Sequence, residues 1–245
     1  RGIQPNIYPI RESNGIQAMT IEYFHKNDPK LKADIESIVT EMRDAKEYGS
    51  ILNITPVDFA GLYARFDEIR NDINMIQMPA LDELLPLVKC AELLAQKYDV
   101  VVTNPPYMGS PNMNDTLLPF LKRNYSAGKS DLFSTFMLRN MEFSKRDGFV
   151  SMITMSAWMF QARFEDIRRA MSPFVLQNMV HLGTRAFDAI GGEVVQTTAF
   201  VYSKVNMPDY ITHFIRLTEP KGEAAKEKAF YNIENHKSCS VVSFN

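Results

Sequence analysis

The chain has 245 residues, 45% of them hydrophobic, enough for one large domain or one and a half ordinary ones around a packed core. Twenty-seven basic against 29 acidic side chains give a formal net charge of −2, so bulk charge argues neither for nor against nucleic acid, and binding to it would need a local basic surface. No apolar run approaches the roughly 20 residues of a membrane span, no signal-peptide pattern opens the chain, and Cys90 and Cys239 stand in no metal-ligand spacing. A cytoplasmic protein without a membrane partner or a metal is expected. Because the chain begins at Arg1 and closes on Val241 to Asn245, which resemble a strand cut short, it reads as an excised piece of something longer.

Residues 1–27 hold Pro5, Pro9, Asn14 and Gly15 between short apolar groups and read as loop, with at most a brief strand or a turn of helix. Asp28-Pro29 starts a helix with Asp28 as N-cap, followed by Leu31, Ile35, Ile38, Val39, Met42 and Ala45, and Gly49 ends it. Ser50 to Ile54 is short, apolar and β-rich, and predicts a strand. Thr55-Pro56-Val57-Asp58 then begins a helix carrying Phe59, Leu62, Tyr63, Phe66, Ile69, Ile73 and Ile76. A further helix starts or kinks at Pro86 and leads into the strand at Tyr98.

That strand holds the most informative stretch. Val100, Val101 and Val102 form a β-branched run suited to a strand covered on both faces, and Asn104-Pro105-Pro106-Tyr107 stops it, since neither proline can donate to a ladder. It therefore ends at the carboxyl edge of a parallel sheet, where chemistry usually sits. Further on, the pattern predicts a short helix capped by Asp115, a helix capped at Ser130-Asp131, a strand over 149–154, a helix over 163–171, strands over 175–182 and 194–202, a strand over 210–217 and a charged helix over 223–235. Alternating strand and helix argues for an α/β fold with a mostly parallel sheet, helices on both faces and an antiparallel pair at one edge.

Asn104 to Tyr107 at the end of a buried strand resembles motif IV of the S-adenosylmethionine-dependent amino methyltransferases, the group containing the adenine-specific DNA enzymes. With proline at about 5% usage, such a tetrapeptide arises by chance in a chain of this size in well under about one case in a hundred. The later order, including Trp158 and Leu182-Gly183-Thr184-Arg185-Ala186-Phe187, is similar to motifs V to VIII over roughly residues 49–204. More narrowly, Lys129 to Phe133, Met152 to Met155 and His181 to Val195 resemble the PglX family of adenine-specific methyltransferases from BREX phage-defence systems.

The resemblance implies a class I (Rossmann-like) methyltransferase fold, S-adenosylmethionine as methyl donor, double-stranded DNA as partner and a flipped adenine as substrate. The Asn104 side-chain oxygen and the Pro105 carbonyl would accept the hydrogens of the target amine, Pro106 would stiffen the turn, Tyr107 would stack on the base and Phe187 would hold its other side. Asn104 would also border the cofactor. Lys122, Arg123, Lys129, Arg163, Arg168 and Arg169 could meet phosphates or be solvated helix charges. One departure matters: the family's Gly-x-Gly cofactor turn is absent, so 1–48 read as a loop and helix preceding the sheet, 49–204 as the target-base half of a catalytic domain and 205–245 as a linker or the start of a target-recognition domain. Such a half would bind cofactor weakly or not at all and expose one edge of the valine strand, for which Ser50 to Ile54, residues 3–10 and a second copy are the candidate covers, a homodimer being the expectation. A methyltransferase for an RNA base or a protein glutamine amide, and a silent interaction module retaining the turn, remain as alternatives.

Overall fold

The computed structural model describes residues 5–71, 78–187, 195–205, 207, 210–232 and, for the backbone, 240–244. Compactness divides the chain into two units, Arg1–Gln96 and Lys97–Asn245.

The first unit is helical: α1 (Ala18–His25), α2 (Pro29–Glu41), α3 (Ala45–Tyr48), α4 (Phe59–Asn71) and α5 (Leu85–Ala95). The Asp28 carboxylate accepts from the amides of Lys30 (2.8 Å) and Leu31 (3.0 Å), the N-cap read from sequence. Phe24, Ile35, Ile38, Leu62, Phe66, Leu87, Val88 and Ala91 are buried in its core. Three expectations are corrected here. Residues 18–25 form a helix rather than loop, Asp44 in a left-handed conformation breaks the helix expected to run to Gly49, and 50–54 is not a strand. Gly49–Ile51 is a 3-10 turn whose apolar neighbours Ile51, Leu52 and Ile54 are buried, so the run that resembled a strand is core filling on an irregular segment. The α4 cap is Asp58, whose carboxylate accepts from Gly61 N at 3.0 Å, and Pro86 enters α5 after a single π-turn over Ala80–Leu84. The positions Ile73 and Ile76 lie outside the described residues.

The second unit is a six-stranded sheet of β1 (Tyr98–Thr103), β2 (Ser144–Met155), β3 (Val175–Gly183), β4 (Thr197–Ser203), β5 (Thr212–Arg216) and β6 (Ser240–Phe244), in the order β1-β2-β4-β3-β5-β6. The sheet is mixed, not mostly parallel: β1 with β2 and β3 with β5 are parallel, and the other three pairings are antiparallel. The antiparallel pair β3–β4 forms as expected, but it lies inside the sheet with β5 and β6 beyond it.

Helices lie on both faces. Against one face pack α7 (Leu132–Phe143) and α8 (Glu165–Met171), with Phe133, Met137, Val150, Met152, Trp158, Phe164, Ile167, Met179 and Phe200 forming the core. Against the other lies α9 (Glu223–Tyr231), which with Val180, Leu182, Ala199 and Leu217 borders a cavity of about 360 Å³. Lys226 of α9 is buried and donates to the carbonyls of Leu182 (2.6 Å) and Leu217 (2.7 Å). The valine run is not covered on both faces. Val101 packs on the core, but Val100 and Val102 are 56% and 74% exposed. Among the described residues β1 is paired on one side alone, with β2. No helix among them is long and apolar enough to cross a membrane.

Between the first β1–β2 pair, Tyr98 with Ser144, and the next, Val100 with Phe149, β1 advances two residues while β2 advances five. Gly148 closes this bulge: a Cβ there would lie 2.6 Å from Ser144 Oγ and 2.8 Å from the Asp99 carbonyl. From that point the ladder runs regularly to Thr103 opposite Met152 and delivers the chain to the turn.

Candidate active site

Because β4 alone reverses direction between β2 and β3, the strands β1, β2 and β3 run the same way, and their carboxyl ends share one edge of the sheet. Topology thus brings together the Asn104–Tyr107 turn after β1, the segment around Trp158 after β2 and the loop holding Phe187 after β3.

Within the turn, Asn104 and Pro106 are exposed, Pro105 is buried and Tyr107 is half-buried. The Tyr107 ring meets Phe133 edge to face, with centroids 6.0 Å apart at 83°, and its hydroxyl lies 3.5 Å from the Ile153 carbonyl at the end of β2. Burial pushes the Tyr107 phenol above its ordinary pKa, and the nearby Asp131 carboxylate adds to this. The ring is therefore packed on α7 as well as being carried at the sheet edge. Phe187 is half-buried on its own loop, which leaves β3 through Gly183, where φ is +67° and a Cβ would crowd Thr218.

The exit from the turn is bonded to the start of α7. Asp131, 3% exposed, accepts from Met108 N (3.1 Å) and from Phe133 N (3.3 Å) through the same oxygen. Around it Gly109 and Asp131 form an antiparallel bridge, with Ser110 N donating to the Ser130 carbonyl (3.1 Å) and Leu132 N to the Met108 carbonyl (2.9 Å). Burial pushes the Asp131 carboxyl above the ordinary carboxylate range, against the downward pull of the Phe133 and Met108 amides and of Arg163. Sequence reasoning identified Asp131 as a helix cap and missed its bond to a backbone amide 23 residues earlier, for which a linear pattern holds no signal.

The basic candidates separate. Arg168 is used internally, donating to the carbonyls of Trp158 (2.7 Å) and Gln161 (2.9 Å), and Arg169 pairs with Glu165 at 2.8 Å. Lys122, Arg123, Lys129 and Arg163 are exposed; the Arg163 guanidinium lies over the Phe164 ring, 4.7 Å from its centroid. The α6 helix (Leu117–Asn124) that carries the first two is capped by Asn114, which accepts from Thr116 N (3.1 Å) and Leu117 N (2.7 Å), not by the neighbouring Asp115. Among the described residues no cluster of His, Cys, Asp and Glu could hold a metal ion.

A central strand direction set by β1, β2 and β3, one reversed strand between β2 and β3, and an Asn-Pro-Pro-Tyr turn at the carboxyl edge define a class I methyltransferase fold. The chain belongs to the Eco57I restriction-modification methylase family, whose model matches residues 18–187. It is 33% identical over 246 residues to adenine-specific methyltransferase PglX of Lacticaseibacillus casei (strain Zhang), covering 98% of this chain and 20% of that protein. To adenine-specific methyltransferase BrxX of Escherichia coli O9:H4 (strain HS) it is 38% identical over 205 residues, covering 80% and 16% respectively. Among solved structures it is similar to the methyltransferase subunit of the type I restriction-modification system from Streptococcus thermophilus, with 16% identity, a TM-score of 0.43, and 60% of this chain and 34% of that one covered. The chain thus spans a fifth or less of the length of these curated relatives.

Proposed function

We propose that this chain is the target-base half of an adenine-specific DNA methyltransferase, acting in restriction-modification or BREX-type phage defence in the cytoplasm, with double-stranded DNA as its partner. The observation that carries the reading is the Asn104-Pro105-Pro106-Tyr107 turn at the carboxyl end of β1, entered from a regular ladder and bonded at its exit. The methyl group comes from S-adenosylmethionine in this reading. The residues described here do not fit a complete site for that cofactor: they include no Gly-x-Gly turn, and β1 has no strand on its outer side. What they supply is the amine side of the reaction.

An adenine amino group is a poor nucleophile because its lone pair is delocalised into the ring. The exposed Asn104 amide oxygen and the Pro105 carbonyl are the two acceptors that hold its hydrogens and favour a pyramidal nitrogen, leaving the lone pair free. Alignment and stabilisation of the positive charge growing on nitrogen supply the catalysis, with no strong base. The base reaches this edge only when flipped from the duplex, where Tyr107 and Phe187 flank it and the exposed Lys122, Arg123, Lys129 and Arg163 are available to phosphates. In domain terms, 49–204 contribute the target-base half and 205–245 lead toward target recognition. Isolated, the chain pairs its open β1 edge with a second copy.

The test is Asn104→Ala in the full-length protein. It should lower adenine methylation by at least about two orders of magnitude, with fold and DNA affinity nearly unchanged, because the lost acceptor acts mainly in the transition state. Retention of most activity rejects the mechanism.

A further inference from the structure

The sheet delivers the chain to Asn104 but does not fix how the turn leaves it. Two consecutive prolines remove both amides that could have anchored the turn from within. The first amides available for anchoring are those of Tyr107 and Met108, and the latter donates at 3.1 Å to the Asp131 carboxylate. The same oxygen takes the Phe133 amide at the start of α7, a helix buried along the sheet. Ser130 and Leu132, on either side of Asp131, bond the main chain of Ser110 and Met108, and Ser130 Oγ donates to the Arg163 carbonyl at 3.0 Å. A buried carboxylate thus joins the exit of the turn to the start of the buried helix α7, with Arg163 as the nearby positive charge.

We infer that Asp131 is a positioning residue for methyl transfer: by holding the Met108 amide on the α7 terminus it fixes the Asn104 and Pro105 acceptors in the geometry the target amine requires. This rests on the reading of the turn given above. Asp131 touches neither base nor cofactor in this account, so its loss acts on the rate of the aligned complex and not on ground-state binding. Displacing reacting groups by about 1 Å costs on the order of 10²-fold in rate.

The experiment compares Asp131→Ala, Asp131→Asn and Asp28→Ala in the full-length protein. Asp28 caps α2 through two amides, where Asp131 caps α7 through the Phe133 amide, but it belongs to the helical unit, and its loss controls for cap removal alone. Single-turnover methylation of an adenine-containing duplex should fall about 10²-fold in Asp131→Ala, with dissociation constants for S-adenosylmethionine and DNA within about threefold of wild type. Asp131→Asn keeps an acceptor oxygen and should recover to within about tenfold of the wild-type rate, while Asp28→Ala should leave the rate unchanged. The inference is overturned by an unchanged rate in Asp131→Ala, by equal losses in Asp131→Ala and Asp28→Ala, or by a folded Asp131→Asn as slow as the alanine variant. A wild-type protein that methylates no adenine refutes the reading of the turn instead. If Asp131→Ala does not fold, Asp131→Asn decides: a rate lowered by up to about tenfold with unchanged dissociation constants supports the inference, and a rate equal to wild type overturns it.

Discussion

Gly148→Ala probes how the β1–β2 bulge aims the turn. A methyl at this position would lie 2.6 Å from Ser144 Oγ, 2.8 Å from the Asp99 carbonyl and 3.0 Å from the Tyr98 carbonyl. The first contact is with a side chain and can be relieved by rotation. The other two are with backbone carbonyls of β1, which can retreat only by moving the strand. Overpacking of this kind costs about 1–3 kcal/mol, and each ladder bond weakened at Val100 adds about 0.5–1.5 kcal/mol, so a loss of roughly 2–4 kcal/mol is expected. Against a total stability on the order of 5–15 kcal/mol that is a large shift in a urea denaturation midpoint followed by far-ultraviolet circular dichroism. Adding Ser144→Ala should recover only part of the loss. Gly15→Ala, where a methyl meets nothing within 4 Å, supplies the control and should be neutral or slightly stabilising. A midpoint for Gly148→Ala equal to that of Gly15→Ala would refute the claim that backbone contact at the bulge sets the β1–β2 spacing.

Two further predictions concern pH and association. Burial holds the half-buried His181 imidazole below its ordinary pKa of 6.5, and Arg216 and Lys226 act in the same direction, so below about pH 6.5 the unfolded chain takes up a proton that the folded chain resists. Stability attributable to His181 is present above that pH and is lost as the solution is acidified toward the folded pKa; His181→Gln should flatten the slope of denaturation midpoint against pH in that window, and an unaltered slope would count against the assignment. Val102, 74% exposed on β1, whose outer edge is unpaired among the described residues, should support a dimer of this chain that Val102→Lys disrupts with little effect on folding. Light scattering showing a strict monomer for the unmodified chain at high micromolar concentration would remove the edge-pairing argument.

What could be read from the sequence was local. The Asp28 and Asp131 caps, the β1 strand and its proline stop each depend on neighbouring residues, and the structure places all of them as expected. Ser50 to Ile54 misled because a short apolar run reads alike whether it is a strand or the buried side of a turn. Helix α1 escaped notice because its N-cap position, Gln17, makes no side-chain cap bond and no acidic residue stands in its first turn. At α6 two good capping residues, Asn114 and Asp115, are adjacent, and only the backbone path decides between them. Sheet order was less legible still: nothing in the periodicity of 212–216 or 240–244 shows that these strands extend the sheet beyond β3. The turn itself was legible, whereas its tie to Asp131 depends on a tertiary bond across 23 residues.

The contacts that hold the turn after β1 bear on the chemistry proposed for it. On its inner side the turn is determined at three points: Thr103 in register with Met152, the Tyr107 ring against Phe133, and the Met108 amide on Asp131. Those contacts come from β2 and α7, so their rigidity is internal to the second unit. Asn104, between them, is exposed, and the backbone of β1 on its outer side is unpaired among the described residues. In the proposed mechanism, a turn held at these points needs no reorganisation when charge develops on the amine. The same arrangement separates two kinds of damage. Substitutions on the inner side, at Gly148, Phe133 or Asp131, should lower stability and transfer rate together, since packing and alignment share the same contacts. Substitution of Asn104 should lower the rate alone, since its side chain supports none of the three contacts that hold the turn.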